Sequence, residues 1–310
     1  MTEGPVPTTL VYGFLDAGKT HFIQSSLLRD FFYKRGSTLL LCFEAGEEEY
    51  DEAALAGKRV SVACYEGGED LTAFCLRQIE KYRPDRIWVE MNAMTEGLRA
   101  ALPESMKVVF RELLVDTATL PLYVRNMRQY LQNMVQDADQ LIFRGGTKED
   151  LAPYSQLFRL INRKASYLWE GPGGYHEKAF DLFVPYELEE SELTIKESDY
   201  VAFCLHSAAR PELYEGKIIR LTAQAAPEGF PGGPDFIGRQ VMTCCLADVQ
   251  FLGCPCHFPT GEEPAGGQWL TVTAQGMLKR DEYGRGRLLL QIKEAVTVPP
   301  PKELLLNGLG

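Results

Sequence analysis

The octapeptide Gly13-Phe14-Leu15-Asp16-Ala17-Gly18-Lys19-Thr20 has the spacing G-x-x-x-x-G-K-[ST], and it directly follows the strand-like run Thr8–Tyr12. Few short patterns restrict a fold so strongly. The glycines let successive backbone N–H groups turn inward around an anion, while the lysine reaches toward β- and γ-phosphates and the threonine hydroxyl toward Mg²⁺. Behind the loop, His21–Phe32 carries apolar residues at helical spacing, which sets a helix N-terminus under the phosphates. Strand, glycine loop and helix point to one phosphate-binding unit.

The chain has 310 residues with 45% hydrophobic content, enough for two globular domains with separate cores. Its formal net charge of -11 argues against a general nucleic-acid binder, whose affinity comes largely from Lys and Arg. A small ligand or a protein partner fits better. No apolar run approaches the ~20 residues that span a bilayer, and Met1–Pro5 shows no basic or apolar leader region. The expectation is a cytoplasmic protein, not itself a membrane protein. Its eight cysteines then read as thiols or metal ligands, not as a disulfide framework.

Up to about residue 185, strand-like and helix-like runs alternate, the pattern of an α/β domain built on a mostly parallel sheet. Predicted strands are Thr8–Tyr12, Ser37–Phe43, Arg59–Ala63, Asp85–Glu90, Lys107–Val115, Gln140–Phe143 and Ala165–Trp169. Helical patterns cover Leu71–Lys81, Leu120–Asp137 and Tyr154–Asn162. Past residue 190 a charged segment and a helix, Ser198–Ala209, lead into short strands and Gly/Pro turns. The strand-like runs Tyr214–Gln224, Gln240–Leu246, Trp269–Gly276 and Arg287–Val298 suggest a small all-β, OB-like barrel of about five strands. The expected division is residues 1–190 for nucleotide binding, 191–213 as linker and helix, and 214–310 as the barrel.

Three further segments narrow the first domain. Asp85–Ala93 is a strand ending in the acidic residue Glu90, Leu40–Gly46 contains Glu44, and Leu113–Thr117 is followed by Ala138–Phe143. With the glycine loop, residues 7 to 170 resemble the CobW-type metallochaperone GTPases related to UreG and HypB. The resemblance implies that Gly13, Asp16, Ala17, Gly18, Lys19, Thr20 and His21 line the nucleotide, His21 standing where a helix-capping Thr would be. It implies Mg²⁺ held by Thr20 with Glu44 and Glu90, which with Lys19 serve hydrolysis of GTP to GDP. Glu90 has independent support, because a lone Glu ending a buried strand is costly unless it faces a cation or the solvated mouth of the sheet.

Departures from that pattern matter as well. The family's C-x-C-C metal motif is replaced by Val62–Leu71, with Cys64 alone. Phe43 and Ala93 stand where the family has Asn and Gly near the γ-phosphate, which predicts slow hydrolysis. The base-reading N-K-x-D is absent after Phe143; Thr147-Lys148-Glu149-Asp150 has a related form about three residues late and is the expected base-recognition element.

In the second domain, Phe236–Gly253 carries R-x-x-[IVM]-T-C-C-x-x-D and resembles an uncharacterised OB-like domain found beside bacterial permeases. Cys244 and Cys245 with Cys256 and His257 form a candidate Zn²⁺ site, with Asp248 to orient or ligate. The equally weighted reading is buried thiols, because free Cys is among the most buried residue types. The combined expectation is Mg-dependent guanine-nucleotide binding and slow hydrolysis, coupled to the barrel in metal homeostasis or in service to a metal-receiving partner. The alternative is a nucleotide-dependent regulatory module for a membrane permease, with little or no hydrolysis.

Overall fold

The computed structural model describes residues 4–29, 36–43, 48–92, 94, 102–171, 173–176, 184–243 and 249–307. They form two compact units. The first comprises Met1–Leu151 with Lys164–Ala179, and the second Ala152–Arg163 with Phe180–Gly310.

The first unit is built on an eight-stranded sheet of order β3-β2-β4-β1-β5-β6-β7-β8. Its strands are β1 (Val6–Gly13), β2 (Thr38–Cys42), β3 (Val60–Cys64), β4 (Arg86–Asn92), β5 (Met106–Asp116), β6 (Gln140–Arg144), β7 (Ser166–Gly171) and β8 (Gly174–His176). All pairings are parallel except the edge pair β7–β8. The strand β2 is buried at all five positions, as the nearly continuous apolar run Thr38–Cys42 requires of a strand covered on both faces. Chain order reverses at β1, which lies between β4 and β5, so the carboxyl end of β1 opens at a topological switch point.

Helix α1 (Lys19–Leu27) buries Phe22, Ile23 and Leu27 in a cluster with Val11, Leu40, Trp88, Leu114 and Ile142 on one sheet face. Tyr12 points to the other face, where its hydroxyl donates to the Met134 carbonyl at 2.8 Å. Short α2 (Glu52–Ala56) and longer α3 (Leu71–Tyr82) begin at Asp51 and Asp70, whose carboxylates accept from backbone N–H groups three residues on. The single helix expected over Leu120–Asp137 is two, α4 (Leu120–Asn126) and α5 (Arg128–Asp137), because the backbone leaves the helical region at Met127 with φ -133° and ψ 33°. Helix α6 (Lys148–Ile161) follows β6 and starts earlier than its apolar spacing suggested.

In the second unit, β10 (Ile218–Ala225), β11 (Phe236–Met242), β12 (Gln250–His257), β13 (Trp269–Arg280) and β14 (Gly286–Thr297) close into a barrel, flanked by β9 (Glu192–Thr194) and β15 (Leu305–Asn307). Around the barrel the order is β10-β11-β12-β14-β13 and back to β10, with β12 and β14 parallel and the other barrel pairs antiparallel. This is the closed five-stranded, OB-like architecture. Alternating residues such as Ile219, Leu221 and Ala223, or Val272 and Ala274, fill the interior. Helix α7 (Tyr200–Ala209) supplies Tyr200, Val201, Phe203, Cys204 and Leu205 to the same core, so it is buried nearly all round.

The barrel holds an unexpected cation. Arg239 is wholly buried; its guanidinium donates to the Glu303 carbonyl, faces Glu197 at 3.4 Å and lies 5.3 Å from the Trp269 ring centre. Trp269 is accordingly a core residue with a cationic neighbour. No helix among the described residues is long and apolar enough to cross a membrane.

Candidate nucleotide site

The glycine loop occupies the switch point because β1 ends in a residue without a side chain. A Cβ at Gly13 would lie 2.4 Å from the Leu114 carbonyl oxygen of β5, so the loop can leave the sheet at that level only with glycine there. Asp16 and Gly18 both adopt positive φ, 60° and 74°, a conformation tolerated by Asp and natural for Gly. The Asp16 carboxylate is exposed, so it does not crowd the space its own loop encloses. Phe14 stacks on Tyr123 of α4 with ring centres 3.7 Å apart and planes 9° apart, anchoring the loop from outside.

Helix α1 begins at Gly18 with no side-chain cap and no acidic residue in its first turn. The orphan N–H groups of that turn carry the positive end of the helix dipole and stand ready for an anion. Lys19 is 4% exposed, and its ammonium donates to the Phe14 carbonyl at 2.8 Å, folded across the loop that a phosphate would fill. Ala17 is buried beneath the loop, whereas His21 is exposed on α1.

Glu90 completes the arrangement. It lies two residues before the end of β4 and is only 3% exposed, yet both of its oxygens accept hydrogen bonds. The Thr20 hydroxyl donates to Oε1 at 2.8 Å; the Tyr50 hydroxyl donates to Oε2 at 2.6 Å and the Cys42 thiol to the same oxygen at 3.4 Å. Burial, reinforced by the neighbouring Glu90 charge, holds the Tyr50 phenol far above its ordinary range, so it remains a donor at any physiological pH. Three neutral donors surround this one carboxylate, and a divalent cation beside Thr20 would meet its charge. Glu44, the other expected metal residue, and Ala93 lie outside the described residues.

A second tether comes from β6. The Arg144 guanidinium donates to the Gly18 carbonyl and to Glu170 on β7, so the C-terminal side of the glycine loop is pinned by a bonded ion pair. A Cβ at Gly18 would fall on this guanidinium. Sequence reasoning missed Arg144, Glu170, Tyr50 and Cys42, although Arg144 stands where a base-reading Asn was sought.

Thr147 and Asp150 lie together, but their bonding is local. The Asp150 carboxylate accepts from the Thr147 N–H at 2.7 Å and the Thr147 hydroxyl at 2.9 Å, while the Asp150 N–H faces that hydroxyl at 3.3 Å. This is a reciprocal capping box at the start of α6. The same bonds hold the Asp150 carboxyl below its usual range. The Lys148 side chain is outside the described residues.

The cysteine cluster of the barrel divides. Cys254-Pro255-Cys256-His257 is not a ligand loop but part of β12, with Pro255 in register with Phe236. Cys254 and Cys256 point into the core at 5% and 1% exposure, whereas His257 is exposed on the opposite face. Adjacent positions of a regular strand cannot converge on one tetrahedral ion, so Cys256 and His257 are not co-ligands. Cys254, like Cys204 of α7, is a buried free thiol, and it faces the Ser207 hydroxyl at 4.0 Å. Cys244, Cys245 and Asp248 lie outside the described residues; among the described ones no cluster of three His, Cys, Asp or Glu could hold a metal. His206 meets the Tyr214 hydroxyl at 2.8 Å, which in turn meets the Tyr186 hydroxyl at 2.7 Å, and Cys64 is exposed.

The fold and loop therefore define a P-loop α/β domain joined to a closed OB-like barrel. Residues 175–304 match the family described as the DUF1980 C-terminal domain. No curated protein matches the chain. Similar solved structures include the hydrogenase maturation factor HypB from Archaeoglobus fulgidus, 13% identical, covering 57% of this chain and 87% of that one with a TM-score of 0.41. The signal recognition particle receptor FtsY from Elizabethkingia anophelis is 14% identical, covering 59% of this chain and 63% of that one with a TM-score of 0.35.

Proposed function

We propose that the chain binds a guanine nucleotide with Mg²⁺ through Gly13–Thr20, hydrolyses it slowly, and couples nucleotide state to the barrel in metal homeostasis. The observation that carries the nucleotide reading is the buried Glu90 carboxylate bonded to Thr20, directly beside an uncapped helix N-terminus. The backbone N–H groups of Gly18, Lys19 and Thr20 would bind phosphate oxygens, and Lys19 would exchange the Phe14 carbonyl for them. Thr20 would hold Mg²⁺, with Glu90 positioned behind it to orient the cation's water shell. Mg²⁺, when bound, supplies charge neutralisation for phosphoryl transfer. Arg144 holds the loop without offering its charge to the phosphates, because it is already bonded to Glu170.

Guanine selection and the metal role rest on the resemblance of residues 7 to 170 to CobW-type GTPases. For the base, Asp150 would have to leave its capping box to meet a purine. For zinc, Cys244 and Cys245 remain candidates, without the Cys256–His257 pair. Calorimetry of metal-defined protein with GTP, GDP and ATP, each with and without Mg²⁺, tests the reading. Heat of binding for GTP that needs Mg²⁺ and disappears in Lys19→Ala supports it; no binding of any nucleotide ends it.

A further inference from the structure

Helix α1 covers only part of its sheet face. Below it lies a cavity of about 330 Å³ lined by residues including Phe22, Trp88, Phe110, Glu112, Leu168 and Tyr175. The volume is about twice that of an engineered cavity that accepts benzene, and it sits at the lower end of small-molecule sites. It lies at the level of Thr9, Trp88 and Gln140 in the sheet, whereas the phosphate loop follows the carboxyl end of β1. The two are separate places on one face.

The wall is aromatic and aliphatic, with one feature that packing does not explain. Glu112 on β5 is 9% exposed, and its Oε2 has no hydrogen-bond partner among the described residues. Two residues further along the same face, Leu114 is a core residue, so an apolar side chain at position 112 would have extended the core. A buried carboxyl oxygen without a partner costs stability and is kept only where something compensates it. Arg29, the cation among the lining residues, is exposed at the rim with its guanidinium carbon 6.0 Å from the Tyr175 ring centre. Water screens it there.

We infer that this cavity is a ligand site for a small organic cation, an ammonium on an apolar body of about ten non-hydrogen atoms. Its ammonium bonds to Glu112 and its body lies among Phe22, Trp88, Phe110 and Tyr175. Aromatic faces and a carboxylate together suit such a cation, because the ring quadrupoles and the anion attract the same charge. Burial places the Glu112 carboxyl at about 7, so the site gains its charge just above neutrality. The groups facing it from neighbouring elements are Arg29 of α1, Gln140 of β6 and Tyr175 of β8. None is a second anion.

The test uses the full chain and two shape-matched probes, phenethylammonium chloride and 2-phenylethanol, titrated at pH 8 and followed by calorimetry and ligand-observed NMR. The expected result is at least tenfold tighter binding of the ammonium, a preference that shrinks at pH 6 and vanishes in Glu112→Gln. The glutamine keeps the shape, and a far-ultraviolet spectrum matching the parent confirms that the variant folds. Equal affinity for the two probes, a preference surviving in Glu112→Gln, or no binding of either probe at 10-millimolar order of concentration overturns the assignment.

Discussion

The Thr20 hydroxyl donates to the Glu90 carboxylate at 2.8 Å across 70 positions of sequence, joining the first turn of α1 to the end of β4. That bond links the glycine loop to β4. A cation entering between the two must reorganise Glu90, and Glu90 carries Tyr50 and Cys42 with it. In the proposed reading, nucleotide occupancy would reach Tyr50 through these bonded groups.

Nucleotide with Mg²⁺ should therefore stabilise the native chain. At a hundred times the dissociation constant, linkage adds ~2.7 kcal/mol. Differential scanning fluorimetry should show the shift for wild type and none for Lys19→Ala. A flat wild-type response to GTP, GDP and ATP sinks the nucleotide reading.

Turnover should be slow and should depend on Glu90. Glu90→Gln keeps the Thr20 contact but removes the charge, so single-turnover rates should fall more than affinity does. Tyr50→Phe should have a smaller effect of the same sign, because one of several donors is lost. Phosphate-release assays on the isolated protein exceeding ~10 s⁻¹, the median enzyme value, contradict a slow switch.

Thr147→Ala should cost about 0.5–2 kcal/mol by removing the cap of α6, read as a lower urea midpoint. Asp150→Asn then separates two roles. If Asp150 reads the base, the variant loses GTP-over-ATP preference in calorimetry; if it only closes the capping box, preference is unchanged while stability falls.

Stability should drop as pH rises from about 5 toward neutrality. Burial raises Glu112 from 4.5 to about 7, so the folded chain holds a proton that the unfolded chain has released. Between those values each pH unit weakens the fold by ~1.4 kcal/mol from this group, about 3 kcal/mol in all, and the loss is complete above 7. Denaturant titrations from pH 5 to 8 should show this slope, flattened in Glu112→Gln, which should be the more stable protein at pH 8. Parallel slopes for the two proteins would contradict a buried, unpaired carboxyl.

As for the barrel thiols, Cys256→Ser should destabilise the second unit whether or not zinc is present, because its side chain lies in the core at 1% exposure. His257→Ala should be nearly neutral. Zinc analysis of Cys244→Ser and Cys245→Ser decides separately whether those residues bind metal.

Much of the first unit was legible because its signals are local. A glycine loop between an apolar strand and an amphipathic run announces itself within twenty residues or so. Glu90 was found for the same reason, as a charge ending a buried strand. Its partners were not, because Tyr50 and Cys42 reach it only through strand order, and nothing near them in sequence marks the contact. Arg144 was invisible as a tether, since a basic residue after a strand has no local signature. In the barrel, the proline in Cys254-Pro255-Cys256-His257 hid a strand. Proline removes a ladder donor and argues against a sheet interior, but the neighbouring Cys256 N–H is satisfied by the Asp235 carbonyl at 3.0 Å. The ligand spacing then suggested zinc where strand alternation separates the side chains.

The barrel closes between β10 and β11 through two residue pairs, Gln224 with Gly238 and Ala225 with Ile237. Its opposite wall is the long β13–β14 hairpin, paired from Leu270 with Thr297 to Arg280 with Gly286. A second short seam joins β12 to β14 through Cys256 with Leu290 and His257 with Gln291, so the cylinder is two ribbons, β11–β12 and β10–β13–β14, fastened at two short seams. Opening the seam between β10 and β11 breaks little backbone bonding yet uncovers the channel between two strands, with Ile237 at its edge. Amides of residues 237 and 238 should exchange with solvent sooner than those of Val272 or Leu290. Beyond those two pairs the same edge of β11 is held by β15, from Gln240 with Leu305 to Met242 with Asn307, so the stretch that opening would free is two residues long.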